Sequence, residues 1–268
     1  MTSLILVTGG TGTLGRLVVP RLREAGAKVR VLSRQAREDH GVGGDVEFVR
    51  GDLDTGEGID AAVAGAQVIV HCAGAQKGDG DKAQALVRAA SRAGQPHLVN
   101  ISVVGADRVP QDSGLDRAMF GYFGSKLAAE QVIAGSGLPW TTLRATQFHD
   151  LWLTVARALA RLPVIPVADG VRFQPVDADE VAAQLVELAL GSPAGLAPDI
   201  AGPRVYPMAE LVRGYLRAAG KRRPLLPVRL PGKATAAVRA GANLATERAV
   251  GHVTWEQFLA ARLGAARR

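Results

Sequence analysis

The chain opens by alternating between two hydrophobic periods. Leu4-Ile5-Leu6-Val7 is an unbroken apolar run closed by glycines, the pattern of a buried strand. From Thr13 to Glu24, Leu14, Leu17, Val18 and Leu22 recur at helical spacing, and Gly26 follows where a helix C-cap belongs. Val29-Arg30-Val31-Leu32, Val46-Glu47-Phe48-Val49, Val68-Ile69-Val70 and His97-Leu98-Val99-Asn100-Ile101 read as four more strands, with helices over Ile59 to Ala64 and Ala83 to Ala93. Near-continuous apolar strands separated by helices predict an α/β fold, a doubly wound parallel sheet covered on both faces.

Beyond the fifth strand the pattern predicts a polar loop over Asp107 to Arg117, a helix from Met119 to Ala134 and a sixth strand at Trp140-Thr141-Thr142-Leu143-Arg144. Thr146 to Trp152 reads as the loop after that strand. Leu162 to Val167 is punctuated by proline, as an edge strand or loop would be. Asp177 stands as the N-cap of a helix running to Leu190. Helices are also predicted over Met208 to Ala219 and Trp255 to Leu263, while Gly232 to Ala245 is helix-prone but interrupted by glycine. Residues 1–150 are thus expected to form the sheet region. Residues 151–268 form a smaller C-terminal lobe on the substrate side, within one integrated domain.

Composition narrows the picture. The 268 residues are 47% hydrophobic and 21% charged, an ordinary globular balance that excludes a disordered or fibrous chain. A single cysteine, Cys72, excludes a disulfide framework and a cysteine zinc site, and predicts a reducing, cytoplasmic setting. The apolar runs stop short of a membrane span, and Met1-Thr2-Ser3 carries no basic leader, so neither a membrane helix nor a signal peptide is expected. The net charge of +7 raises nucleic acid as a partner, but the arginines are dispersed and only 4% of residues are aromatic. Without a concentrated stripe and stacking aromatics, an anionic small molecule is the better expectation. The histidines, His40, His71, His97, His149 and His252, show no metal-ligand spacing, and no metal is expected. A serine-hydrolase elbow is absent too.

The first strand runs into Gly9-Gly10-Thr11-Gly12-Thr13-Leu14-Gly15, with glycines at a three-residue spacing. Placed between an apolar strand and an amphipathic helix, this is a dinucleotide-binding turn of Rossmann type. Gly9 allows the turn, Gly12 lets the backbone approach a pyrophosphate, and Gly15 lets helix and strand pack closely. The helix N-terminus then offers free amides and a partial positive charge. Gly9, Thr11, Gly12, Thr13, Leu14 and Gly15 are therefore cofactor candidates. A carboxylate for ribose hydroxyls is missing at the end of the second strand, which reads Leu32-Ser33-Arg34-Gln35-Ala36-Arg37. Arg34 and Arg37 could grip a 2′-phosphate, so NADP(H) is favoured over NAD(H). The plainer alternative makes them surface arginines.

Thr8-Gly9-Gly10-Thr11-Gly12-Thr13-Leu14-Gly15 resembles the extended and atypical short-chain dehydrogenase/reductase superfamily. Further segments carry the resemblance: Gly51-Asp52-Leu53, Cys72-Ala73-Gly74, Tyr122-Phe123-Gly124-Ser125-Lys126 and the following Leu127-Ala128-Ala129-Glu130. Ser136 to Thr141, Leu143 to Phe148 and Thr254-Trp255-Glu256 look like its NmrA-like NAD(P)-binding branch. The resemblance implies that Asp52 and Leu53 lie beside the adenine and that Ala73 and Gly74 line the cofactor. It implies that Tyr122 exchanges a proton with a carbonyl, that Lys126 lowers the tyrosine's proton affinity and holds the nicotinamide ribose, and that Ser102 polarises the carbonyl. Each has an alternative reading. Asp52 could cap the next helix, and Tyr122 could be a packing residue with Lys126 paired to Glu130 one turn on.

Substrate-side candidates fall after the sixth strand, since open α/β sheets bind ligands at the carboxyl ends of their strands. They are Gln147, Phe148, His149 and Trp152. Phe148 and Trp152 could wall a flat ring. His149 is either an acid–base group or a hydrogen-bonded structural residue. Phe173 to Val176, with Asp177 and Asp179, would close the pocket floor. Three functions remain open. The leading one is an oxidoreductase that reduces a carbonyl or quinone-like, aromatic small molecule. The others are a non-catalytic redox sensor whose partner surface includes Arg262 to Arg268, and a tailoring oxygenase or isomerase acting on an aromatic metabolite. The sequence does not fix the oligomeric state.

Overall fold

A computed structural model describes residues 3–35 and 46–264, apart from the side chain of Leu115. The first half runs β1 (Leu4–Thr8), α1 (Gly15–Glu24), β2 (Lys28–Ser33), β3 (Val46–Arg50), α2 (Ile59–Val63), β4 (Val68–His71), α3 (Asp79–Arg92), β5 (His97–Val103), α4 (Gly114–Ala134) and β6 (Trp140–Ala145). The rest runs α5 (His149–Leu159), β7 (Ile165–Ala168), β8 (Arg172–Phe173), α6 (Ala178–Leu190), β9 (Gly195–Leu196), β10 (Tyr206–Pro207), α7 (Met208–Ala218), β11 (Leu225–Val228), α8 (Lys233–Arg239) and α9 (Trp255–Gly264).

The chain forms two compact units, and it passes between them several times rather than once near residue 150. The first comprises Met1–Ser102, Tyr122–Arg144 and Asp179–Pro198; the second comprises Val103–Gly121, Ala145–Ala178 and Asp199–Arg268. Strands of the first unit belong to a seven-stranded sheet in the order β3-β2-β1-β4-β5-β6-β9. The pairs β1–β2, β2–β3, β1–β4, β4–β5 and β6–β9 are all parallel. This is the Rossmann-like α/β architecture expected. Strand order reverses between β1 and β4, the position at which doubly wound sheets open a ligand crevice. Leu6, Ile69 and Leu98 from the strands pack with Ile59, Leu86 and Ile133 from α2, α3 and α4 in one core. The second unit has its own core, in which Trp152, Leu153, Ile165, Tyr206, Leu211, Trp255 and Phe258 are buried. Here β7 pairs with β11 in parallel and β8 with β10 antiparallel.

Several elements differ from the pattern-based expectation. Thr146 to Trp152 is not all loop, because α5 starts at His149. Trp152, Leu153, Ala156 and Ala160 are buried along it at helical spacing, a stripe that the preceding strand run obscured. Helix α4 starts at Gly114, inside the expected polar loop, where Ser113 and Asp116 exchange hydrogen bonds around its first turn. Helix α3 starts at Asp79, four residues before the expected Ala83. Polar residues at a helix start carry no apolar period, so their helical state is hidden from periodicity. Among the described residues no helix is long and apolar enough to cross a membrane.

Candidate functional site

The site is built on the turn between β1 and α1. Gly9 has φ +67°, and a Cβ there would meet the backbone of Ala73 at 2.7 Å. A Cβ on Gly15 would meet the Gly9 carbonyl oxygen at 2.2 Å, so the helix seats on the strand only with glycine there. Gly12 closes the turn by donating its amide to Gly9 O at 2.9 Å. Leu14, at the N-cap of α1, gives no side-chain cap, and the first helical turn holds no acidic residue. The Arg16 and Leu17 amides bond within the turn, to Gly12 O and Leu14 O, and with no carboxylate or side-chain cap there the helix end favours an anion.

A cleft of about 540 Å³ opens beside this turn, within the first unit. Thr8, Gly9, Thr11 and Gly12 form one side; Leu32, Ser33, Arg34 and Gln35 follow from the end of β2. Gly51, Asp52, Leu53 and Asp54 come after β3, Cys72, Ala73, Gly74 and Ala75 after β4, and Lys82 from α3. The candidates Gly9, Thr11, Gly12, Arg34, Asp52, Leu53, Ala73 and Gly74 are thus gathered in one wall. Thr13 is exposed in the turn, whereas Leu14 and Gly15 are buried beneath it. Arg37 lies outside the described residues, as do Arg267 and Arg268 of the basic tail. Asp52 does not cap the next helix, since the α2 N-cap is Gly58; its Oδ1 instead accepts the Asp54 amide at 2.9 Å. A glycine turn, a helix start without a side-chain cap and a cleft that runs on past Asp52 and Arg34 together suit a dinucleotide.

Sequence reasoning missed Asp54, Lys82 and Asp79. Asp54 and Lys82 form an ion pair at 3.0 Å on the cleft wall. Both α3 residues lie in the helical turn that periodicity did not show.

The candidate catalytic group adjoins the cleft through Gly74. A Cβ at Gly74 would meet Lys126 Nζ at 2.6 Å, so the missing side chain is what admits the ammonium. Lys126 is buried, 3.2 Å from Asp79 Oδ2 and 3.5 Å from the carbonyl of Ile101. It does not pair with Glu130, which instead takes Arg144 through two hydrogen bonds, at 2.9 and 2.6 Å. The ammonium also stands 5.8 Å from the centroid of the Tyr122 ring. Tyr122 is 40% exposed, yet the protein around its phenol raises its proton affinity; Lys126 lowers it and Asp79 raises it. Ser102 is buried at the end of β5, its hydroxyl without a hydrogen-bond partner among the described residues. At the cleft wall, burial pushes the Cys72 thiol up to about 12 against the opposing pull of Lys126.

In the second unit, the substrate-side candidates separate. His149 is fully buried, stacked on Phe258 and Trp255 at centroid distances of 5.0 and 5.7 Å, with Nε2 3.0 Å from the Val253 carbonyl. That is the hydrogen-bonded structural placement. Trp152 packs on Phe173 at 4.3 Å, while its indole N–H has no partner among the described residues. Gln147 is alike, with both amide atoms unpartnered, and so is the Thr146 hydroxyl. Phe148 is half-buried at the start of α5, and Gln174 is fixed by Gly202 O and the Ala245 amide.

Comparison with known proteins adds four findings. A family model described as NAD(P)H-binding matches residues 9–190. A (4-alkanoyl-5-oxo-2,5-dihydrofuran-3-yl)methyl phosphate reductase of Streptomyces griseus subsp. griseus is 30% identical over 220 residues, 81% of this chain and 74% of that protein. An NAD(P)H azoreductase of Xenophilus azovorans is 30% identical over 225 residues, again 81% and 74%. Among solved structures, an NADPH-dependent quinone oxidoreductase of Escherichia coli, complexed with NADPH, superposes with a TM-score of 0.80 at 17% identity. The match covers 96% of this chain and 99% of that one.

Proposed function

We propose that this chain, which belongs to the NAD(P)H-binding family and is an NAD(P)-dependent oxidoreductase, is an NmrA-like atypical short-chain dehydrogenase/reductase that uses NADP(H) to reduce a carbonyl or quinone-like small molecule. The observation that carries this reading is the junction at Gly74, where the wall of the dinucleotide cleft abuts the Lys126 ammonium and, through it, Tyr122. The cofactor, when bound, supplies the hydride. Gly9, Thr11 and Gly12 hold its diphosphate, Asp52 and Leu53 flank the adenine, and Arg34 takes a 2′-phosphate. Lys126 orients the ribose. Tyr122 donates the proton to the carbonyl oxygen, and the unpartnered Ser102 hydroxyl donates a hydrogen bond to the same atom. Raised proton affinity at Tyr122 suits an acid, which is what reduction requires. In the second unit, Gln147 and Trp152 are the substrate-side candidates, because their hydrogen-bonding groups lack partners. The relatives' names as reductases support turnover over sensing.

The test is NADPH and NADH oxidation with a panel of quinones and aromatic ketones. Tyr122→Phe should lower kcat by about 10²–10⁴-fold, the usual contribution of a general acid. Lys126→Ala should also raise the cofactor KM. Turnover equal to wild type in both variants would remove these roles.

A further inference from the structure

Asp79 belongs to no motif, yet three segments meet on it. Its side chain is buried in the first turn of α3. Oδ1 accepts the Ala75 amide at 2.8 Å, and the Asp79 amide donates to Ser125 Oγ at 3.1 Å. Oδ2 faces Lys126 Nζ at 3.2 Å. The α3 N-terminus adds partial positive charge around the carboxylate, and Gly74 leaves the room the pair needs.

We propose that Asp79 is a positioning residue of the Tyr122–Lys126 pair, holding the lysine in place and offsetting part of its charge towards the phenol, so that Tyr122 serves as the acid. This rests on the reading of Tyr122 as proton donor given above. An unopposed ammonium 5.8 Å from the ring would favour the phenolate. A carboxylate 3.2 Å from that ammonium makes the pair a dipole, whose field falls off faster with distance than that of a lone charge. The charged groups facing Tyr122 are Lys126 from its own helix and Asp79 from α3; its aromatic neighbour Phe123 is uncharged. His71 of β4, beside Lys126, stays neutral because burial holds its pKa near 3. The Y-x-x-x-K pair alone predicts a tyrosine of lowered proton affinity. Desolvation of the phenol is the larger cause that raises it, and Asp79 adds to that by offsetting part of the pull of Lys126.

The test is a phenolate absorbance titration of the cofactor-free protein, with Tyr122→Phe identifying the Tyr122 transition among the three tyrosines. Asp79→Asn should move that transition down by at least about one pH unit. The alkaline limb of kcat for carbonyl reduction should move down by the same amount. A transition that stays put in Asp79→Asn, or a profile that only scales down without moving, would overturn the proposal. Should Asp79→Asn fail to fold, Lys126→Gln and the double variant Lys126→Gln/Asp79→Asn decide instead. The transition must be higher in the single variant, whose carboxylate is uncompensated, and equal transitions reject the proposal. Wild-type turnover in Tyr122→Phe would remove the functional reading, while the titration would still decide what Asp79 does to the phenol.

Discussion

The Thr8 hydroxyl lies 2.7 Å from Nδ1 of His71, where the parallel register of β1 and β4 brings the two residues side by side. Both are buried, and His71 is held near pKa 3, by burial first and then by the charges of Lys126 and Lys82. An unfolded chain would take up a proton near 6.5, so between these values the folded state binds fewer protons. Stability present above pH 6.5 is therefore lost as pH falls towards 3, at up to about 1.4 kcal/mol per pH unit. His97, lowered by burial beside Thr141, acts in the same direction. Urea melts between pH 7 and 4 should show His71→Asn losing stability less steeply than wild type; parallel slopes would contradict the assignment.

Glu130 and Arg144 form a buried two-point ion pair between α4 and β6. Removing one partner strands a charge, so Glu130→Gln should cost about 3–5 kcal/mol in chemical denaturation. The double variant Glu130→Leu/Arg144→Met should recover most of that loss, because no charge is left buried alone.

The Gly15 position tolerates no side chain, with the Gly9 carbonyl 2.2 Å from where its Cβ would stand. Gly15→Ala should weaken NADPH binding at least tenfold by fluorescence titration, as the turn that presents the amides is displaced, a loss of about 1.4 kcal/mol or more. Gly114→Ala, where a Cβ meets nothing within 4 Å, is the control and should bind as wild type does.

Arg34 flanks the cleft at the end of β2, with Ser33 and Gln35 in place of an acidic residue. Arg34→Ala should raise the Kd for NADPH by about tenfold or more and leave that for NADH within about threefold, the loss of a charge-assisted hydrogen bond. An equal loss for both cofactors would place Arg34 away from the 2′-phosphate.

The cofactor turn was legible from Leu4 to Gly15 because strand, turn and helix are contiguous there, and each residue's reason is local. Strands β1 to β6 were legible too, since buried parallel strands are written as short β-branched runs. The start of α3 was not. Asp79 and Lys82 lie in a first turn with no apolar period, so neither was singled out, though Lys82 lines the cleft and Asp79 holds Lys126. Helix α5 is hidden because its stripe begins directly after β6, where a strand run and a helix run merge.

The order of residues by itself determined the sheet and the glycine turn, because backbone geometry and hydrophobic period act over a few neighbouring positions. It also determined that Tyr122 and Lys126 share a helix face. Which carboxylate Lys126 takes was decided only by tertiary structure. Glu130 is one helical turn away, but Arg144 of β6 holds it, and Asp79, 47 residues earlier in the chain, fills the space that Gly74 leaves open. Charge falls off with distance through space, not along the chain, so the proton affinity of Tyr122 is a property of the folded neighbourhood.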